Sequence, residues 1–264
     1  MNYKAKWMCI VLLVLMAGSL SGCVSVNLGS GGEEAGQGDM LKRSYDVGSF
    51  SSVEIKDMNF RGVTIGSNIS YQEVGFELIY KNGREHKVEV EMQENLFEYI
   101  QVSVQEDRLI LESSRNIRAG AGKRPKLYIT TPEFNGVIIH GVISFKDADK
   151  IEGKKFDIVV SGVCDMDLDV NVENMKAKVS GAGSIKLQGS ARSANIDLSG
   201  AGEIDALKLD TVDTEVRISG AGDCGISCSG SLRVYLSGVG SLKYKGSPEI
   251  TKNVSGVGSI RQVD

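Results

Sequence analysis

The chain has 264 residues, enough to bury a full core in one or two domains, with 32 glycines, 3 prolines and 6% aromatics. That composition suits a tightly turned β protein. The formal net charge of -4 gives no basic footprint and so excludes nucleic acid as a partner.

Residues 1–22 read as a lipoprotein signal peptide. Lys4 and Lys6 make a basic start, and Met8 to Ala17 is an apolar run too short to span a membrane. The segment ends in Leu20-Ser21-Gly22-Cys23, the pattern of a bacterial lipobox, in which the cysteine is acylated and becomes the new N-terminus. Two or three acyl chains, palmitate among them, anchor stably where a single chain does not. Cys23 is therefore the expected lipidation site. Val24 stands where an aspartate would signal retention at the inner membrane. The expected location is the cell membrane or outer membrane, facing away from the cytoplasm. Residues 23–43, rich in Gly, Ser and Glu, read as a flexible tether without fixed structure.

Residues 44–139 alternate apolar and polar side chains in short runs. Ser52 to Lys56, Val88 to Met92, Ile100 to Val104, Arg108 to Glu112 and Lys126 to Thr131 all read as strands. Asn82-Gly83 is a hairpin signal, Glu94 to Tyr99 predicts a short helical turn, and residues 119–124 predict an exposed loop. This half reads as irregular coils continuous with the regular repeats of residues 140–264, with a separate small β domain as the alternative.

From residue 140 the chain repeats. Ser-Gly turns begin at Ser161, Ser180, Ser199, Ser219, Ser237 and Ser255, after a worn copy at His140-Gly141-Val142-Ile143. Subtracting successive first positions gives steps of 21, 19, 19, 20, 18 and 18. A period near 20 marks a solenoid, and the alternating segments between turns leave no room for a helix. The fold class is therefore all-β, a parallel β-helix with one coil per repeat, over residues 44–264. Ile185, Ile204, Leu242 and Ile260 are expected to form one buried column, and Val160, Val179, Leu198, Ile218, Leu236 and Val254 another. The corner glycines are expected at positive φ, and the serines are expected to bond along their own ladder. A phosphate cradle would need a helix after each turn, and a strand follows instead.

Phe50, Val53 and Ile55, then Leu109-Ile110-Leu111, Tyr128 to Pro132, the repeated turns and Tyr244-Lys245-Gly246-Ser247-Pro248 come in an order that resembles the head GIN domain family in its lipoprotein form. The resemblance covers residues 44 to 262. It implies a right-handed parallel β-helix in a bacterial surface protein of adhesin type and brings no catalytic residues. Family turns often read Ser-Gly-Ser-Gly; here Ala or Val takes the third place and Cys164 replaces one last glycine.

Candidate chemistry is sparse. Cys164 and Cys228 read as buried free thiols, with Cys228 aligned to Leu187, while Cys224 and Cys228 could pair only if Gly225 bends the chain. Asp165, Asp167 and Asp169 share the outer face of one strand, with Lys146 and Lys186 as neighbours; a solvated face is expected over a calcium site. His140 reads as a degenerate serine position, and His86 is the only other histidine. No catalytic, cofactor or metal residues are expected. The function expected is a lipid-anchored, non-catalytic surface protein for adhesion, ligand binding or envelope scaffolding. The alternative is a carbohydrate-active enzyme, a polysaccharide lyase or hydrolase, which a groove holding both acidic and basic residues would favour. Expected partners are the membrane, a glycan or surface protein, and a second copy in a weak homodimer through the exposed C-terminal coil.

Overall fold

The computed structural model describes residues 34–56, 75–120 and 122–264. The segment expected to be a signal peptide, the expected lipidation site Cys23 and the first part of the expected tether lie outside the described residues. The described residues form one compact unit.

The tether expectation fails at its C-terminal end. Strand β1 (Glu34–Ala35) and strand β2 (Met40–Tyr45) are already paired, β1 to Ile117 and Arg118 and β2 antiparallel to residues 88–93. Met40 and Tyr45 are half-buried, which draws this stretch onto the sheet despite its polar composition.

Strand β3 (Ser52–Lys56) and strand β4 (Phe76–Asn82) form a coil that does not lie at the end of the stack. After β5 (Lys87–Gln93), a 3-10 helix (Glu94–Tyr99) buries Leu96 and Phe97, where a helical turn was expected. Then come β6 (Ile100–Gln105), β7 (Arg108–Ser113), β8 (Ile117–Arg118) and β9 (Lys126–Thr131). Strands β7 and β9 pair parallel with β3 and β4, on the side away from the repeats. The chain thus lays down its second coil outside its first. Antiparallel strands cover that outer coil: β6 on β7, β5 on β9, and β2 on β5.

Two local expectations change here. Asn82-Gly83 makes no hairpin, because β9 lies between β4 and β5. The hairpin is β6–β7, turned at Glu106 (φ 48) and Asp107 (φ 65). Both central residues of such a turn take positive φ, which normally selects Asn or Gly, so Glu-Asp gave no signal.

The repeats begin with β10 (Gly136–Ile139), β11 (Val142–Ala148) and β12 (Ile151–Val160). Four long strands follow, each nearly a whole coil: β13 (Val163–Val179), β14 (Ala182–Leu198), β15 (Ala201–Ile218) and β16 (Ala221–Leu236). The last are β17 (Val239–Lys245), β18 (Glu249–Val254) and β19 (Val257–Gln262). All pair parallel with the coil before, as the period requires. Phe134 seats the joint between irregular and regular coils, packed on Tyr80, Phe145 and Phe156.

The core is a set of columns. Val160, Val179, Leu198, Ile218, Leu236 and Val254 stack in register, and Ile139, Ile55 and Leu111 extend them into the irregular coils. The column is buried as expected as far as Leu236, but Val254, on the last coil with no further coil above it, is exposed. The second column also forms, with Cys224 inserted between Ile204 and Leu242. Burying each such side chain contributes about 1.5–3 kcal/mol. A neighbouring column runs Ile196, Val216, Val234 and ends at Lys252. A charge at an inward position of the last coil blunts an edge that otherwise invites pairing.

The corner glycines are glycines for a reason other than the one expected. Among the described glycines, those with φ in the left-handed region are Gly38, Gly122, Gly153, Gly189 and Gly246, none of them in a Ser-Gly corner. At Gly200 a Cβ would collide with the Gly181 carbonyl and lie 2.6 Å from Ser180 O. The corner requires close approach of successive coils, not an unusual dihedral. The serines do not bond to one another either: Ser180 Oγ donates to Val160 O at 3.3 Å and Ser199 Oγ to Val179 O at 3.5 Å.

Candidate functional site

Alternation along β13 sends Met166 and Leu168 inward and Asp165, Asp167 and Asp169 outward, as expected. Lys146 bridges Asp165, and Lys150 reaches Asp169 at 3.7 Å, with Gln188 Nε2 donating to the same carboxylate at 3.5 Å. Among the described residues no group of three or more His, Cys, Asp and Glu is arranged to hold a metal ion.

Asp167, Lys186 and Asp205 follow one another in register on three successive coils, alternating in sign. With Leu187, Gln188 and Lys208 they line a cleft of about 210 Å³. The cleft exists because β15 carries extra residues: the register slips between Lys186 and Gln188 and again between Ala206 and Asp210. Leu207 N–H donates to Asp205 at 3.2 Å in that bulge. This surface holds both acidic and basic groups, the feature that would favour an enzyme. The spacing does not match a retaining glycosidase, however. Two rungs separate Asp167 and Asp205 by about 10 Å along the stack, at the outer limit even of an inverting pair, and Lys186 stands on the rung between them. Such a ladder can accept and donate hydrogen bonds to a hydroxylated ligand.

The same bulge corrects the position of Cys228. It stacks on Thr211 and Ala191, not in the column of Leu187, and remains buried. Its Sγ donates to Val212 O and Ser231 O at 3.2 Å. Cys164, Cys224 and Cys228 are all free and buried, so Cys224 and Cys228 do not pair. Burial pushes the thiols of Cys164 and Cys224 up to about 12, which removes them as nucleophiles near neutrality.

His140 does occupy the serine position of a corner, its N–H donating to Ile55 O. Sequence reading stopped there and missed what the ring touches. Its Nδ1 lies 2.8 Å from Ser161 Oγ and its Nε2 3.3 Å from Glu54 Oε1. Glu54 is buried, and its other oxygen accepts from Arg108 at 2.9 Å. Burial works against the Glu54 charge, but the Arg108 hydrogen bond and the charges of Lys56 and Arg108 outweigh it and hold the carboxyl below its usual range. The one visible signal was the break in the serine column itself. His86 is placed differently: its Nδ1 lies 3.3 Å from Phe50 N–H, in the irregular half.

Comparison with known proteins agrees with this architecture. No curated protein matches the sequence significantly. A solved structure from Bacteroides fragilis, described as a "putative adhesin", superposes with a TM-score of 0.76 at 25% identity, covering 87% of this chain and 99% of that one. A "putative adhesin" from Parabacteroides merdae gives 0.63 at 17% identity, covering 88% and 99%. A "Putative lipid binding protein" from Parabacteroides distasonis gives 0.61 at 19%, covering 88% and 100%. Residues 67–248, carrying the stacked coils and six of the corner glycine turns from Gly141 onward, match the family described as "Putative auto-transporter adhesin, head GIN domain", and the chain belongs to that family.

Proposed function

We propose that this protein is a lipid-anchored bacterial surface β-helix that attaches to a glycan or a surface protein. The observation that carries the reading is the shape of the repeat. From β13 to β16 each coil passes to the next through a two-residue corner, with no inserted loop to wall off a substrate. Such a stack offers broad, rigid faces with regularly spaced polar side chains, suited to binding an extended partner. The adhesin description of the family supports the same reading. The Leu20-Ser21-Gly22-Cys23 motif supports the anchor, with the coils facing away from the cytoplasm.

A glycan array probed with the full chain in detergent tests this reading. Retained glycans whose signal falls in Lys186→Ala and Lys208→Ala would locate binding at the cleft. A broad panel of polysaccharides should remain uncleaved. Release of reducing ends that disappears in Asp167→Asn would replace attachment by hydrolysis.

A further inference from the structure

We propose that Ser161 is an acyl acceptor, with His140 taking its proton and Glu54 positioning His140, so that this corner hydrolyses small exposed carboxylic esters. The proposal goes beyond attachment and uses a different part of the surface from the cleft.

Four successive rungs contribute one side chain each: Arg108 from β7, Glu54 from β3, His140 after β10 and Ser161 after β12. A nucleophile within hydrogen-bond reach of a base, itself oriented by a third group, is the recurring signature of an activated hydroxyl. Here the Ser161 to His140 distance is 2.8 Å, and the His140 to Glu54 distance is 3.3 Å. The buried carboxylate, fixed by Arg108, favours the tautomer with the proton on Nε2. That leaves Nδ1 as the acceptor facing the serine hydroxyl. Ile139 O also lies within reach of Ser161 Oγ, at 3.3 Å, a longer contact than the one to the ring.

The amide that follows Ser161 differs from its counterparts at the other corners. At the other Ser-Gly corners the glycine amide shares the carbonyl used by the serine amide, as Gly181 and Ser180 both donate to Val160 O. Among the described residues Gly162 makes no such bond: Ser161 N–H alone donates to Ile139 O. The amide after the nucleophile is where an oxyanion is held in hydrolases with this logic. Ser161 is exposed, and the His140 side chain is 41% exposed, so a substrate can reach both. The site lies where the sequence breaks its own repeat, and such departures concentrate at functional positions.

The step balances without a cofactor. Ser161 Oγ attacks the ester carbonyl carbon and its proton passes to His140 Nδ1. The carbon–oxygen bond to the alcohol breaks, and the alcohol leaves with that proton. Water then attacks the acyl-serine by the same route, releasing the acid and restoring the hydroxyl.

The test uses the full chain in detergent and a fluorophosphonate probe, from which the serine oxygen displaces fluoride. Peptide mapping should show Ser161 modified about 100-fold faster than Ser180 and Ser199, which share its corner but lack a histidine. His140→Gln should reduce Ser161 to the rate of those two internal controls. Glu54→Gln should slow labelling of Ser161 while leaving labelling of Ser180 and Ser199 unchanged. Loosened coils alone would instead expose the corner serines together and spare the ratio between them. As a second measurement, Ser161→Ala, a truncation at an exposed position, should lose hydrolysis of p-nitrophenyl acetate. Equal labelling of Ser161, Ser180 and Ser199, undiminished labelling in His140→Gln, or full ester hydrolysis by Ser161→Ala would each overturn the proposal.

Discussion

Replacing Gly200 by alanine adds one methyl group at a position where the backbone has no dihedral reason to be glycine. The added Cβ would run into the Gly181 carbonyl and lie 2.6 Å from Ser180 O, both backbone atoms of the preceding coil. Neither atom can swing aside. Gly181 O already accepts from Ala201 N–H at 3.0 Å, and Gly200 O accepts from Ala221 N–H at 3.0 Å. Relief requires the two coils to part, which weakens the Ala201 bond and the Gly200 N–H bond to Val179 O at 3.1 Å. Two backbone hydrogen bonds at about 1 kcal/mol net each, with some lost column packing, give about 2–4 kcal/mol of destabilisation. Two variants calibrate the measurement. Ser199→Ala loses a single contact at 3.5 Å and should cost under about 1 kcal/mol. Gly48→Ala has nothing within 4 Å of the new methyl and should be neutral or slightly stabilising. Urea melts followed by circular dichroism measure all three. A Gly200→Ala midpoint equal to that of Gly48→Ala would refute the close-approach account of the corner.

Cys23→Ala should release the protein from the membrane fraction and abolish lipid incorporation; a variant that stays membrane-bound alongside an unlipidated wild type would remove the anchor. Lys252→Val would complete the column of Val216 and Val234 and remove the charge from its last position. Val254 and Val257 are already 47% and 75% exposed there, so the variant should self-associate through its C-terminal edge, seen as a concentration-dependent mass by light scattering. The Glu54 carboxyl is depressed in the folded chain, so its contribution is complete at neutral pH and lost as pH falls through that depressed value. The difference in melting temperature between wild type and Glu54→Gln should therefore shrink on acidification; a gap independent of pH would contradict the pairing with Arg108.

The parallel stack was legible in the order of residues alone. A repeated turn every 18 to 21 residues with apolar alternation between has one way to bury its apolar face, coil upon coil. Hence Val160 to Val254 could be written down as a column from the repeat alone. The charged outer face of β13 followed from the same parity. Distances between coils, by contrast, have no trace in one dimension. A glycine needed for its small size and a glycine needed for its dihedral look alike there, and only the position of the Gly181 carbonyl separates them. The coil of β7 and β9 lies outside that of β3 and β4 because parallel pairing is non-local and ignores chain order. The cleft at Lys208 depends on where the extra residues of a coil are absorbed, which shifted Cys228 onto Thr211. Glu54, His140 and Ser161 are 86 and 21 residues apart in sequence, and only the register of β3, β10 and β12 brings them within hydrogen-bond reach.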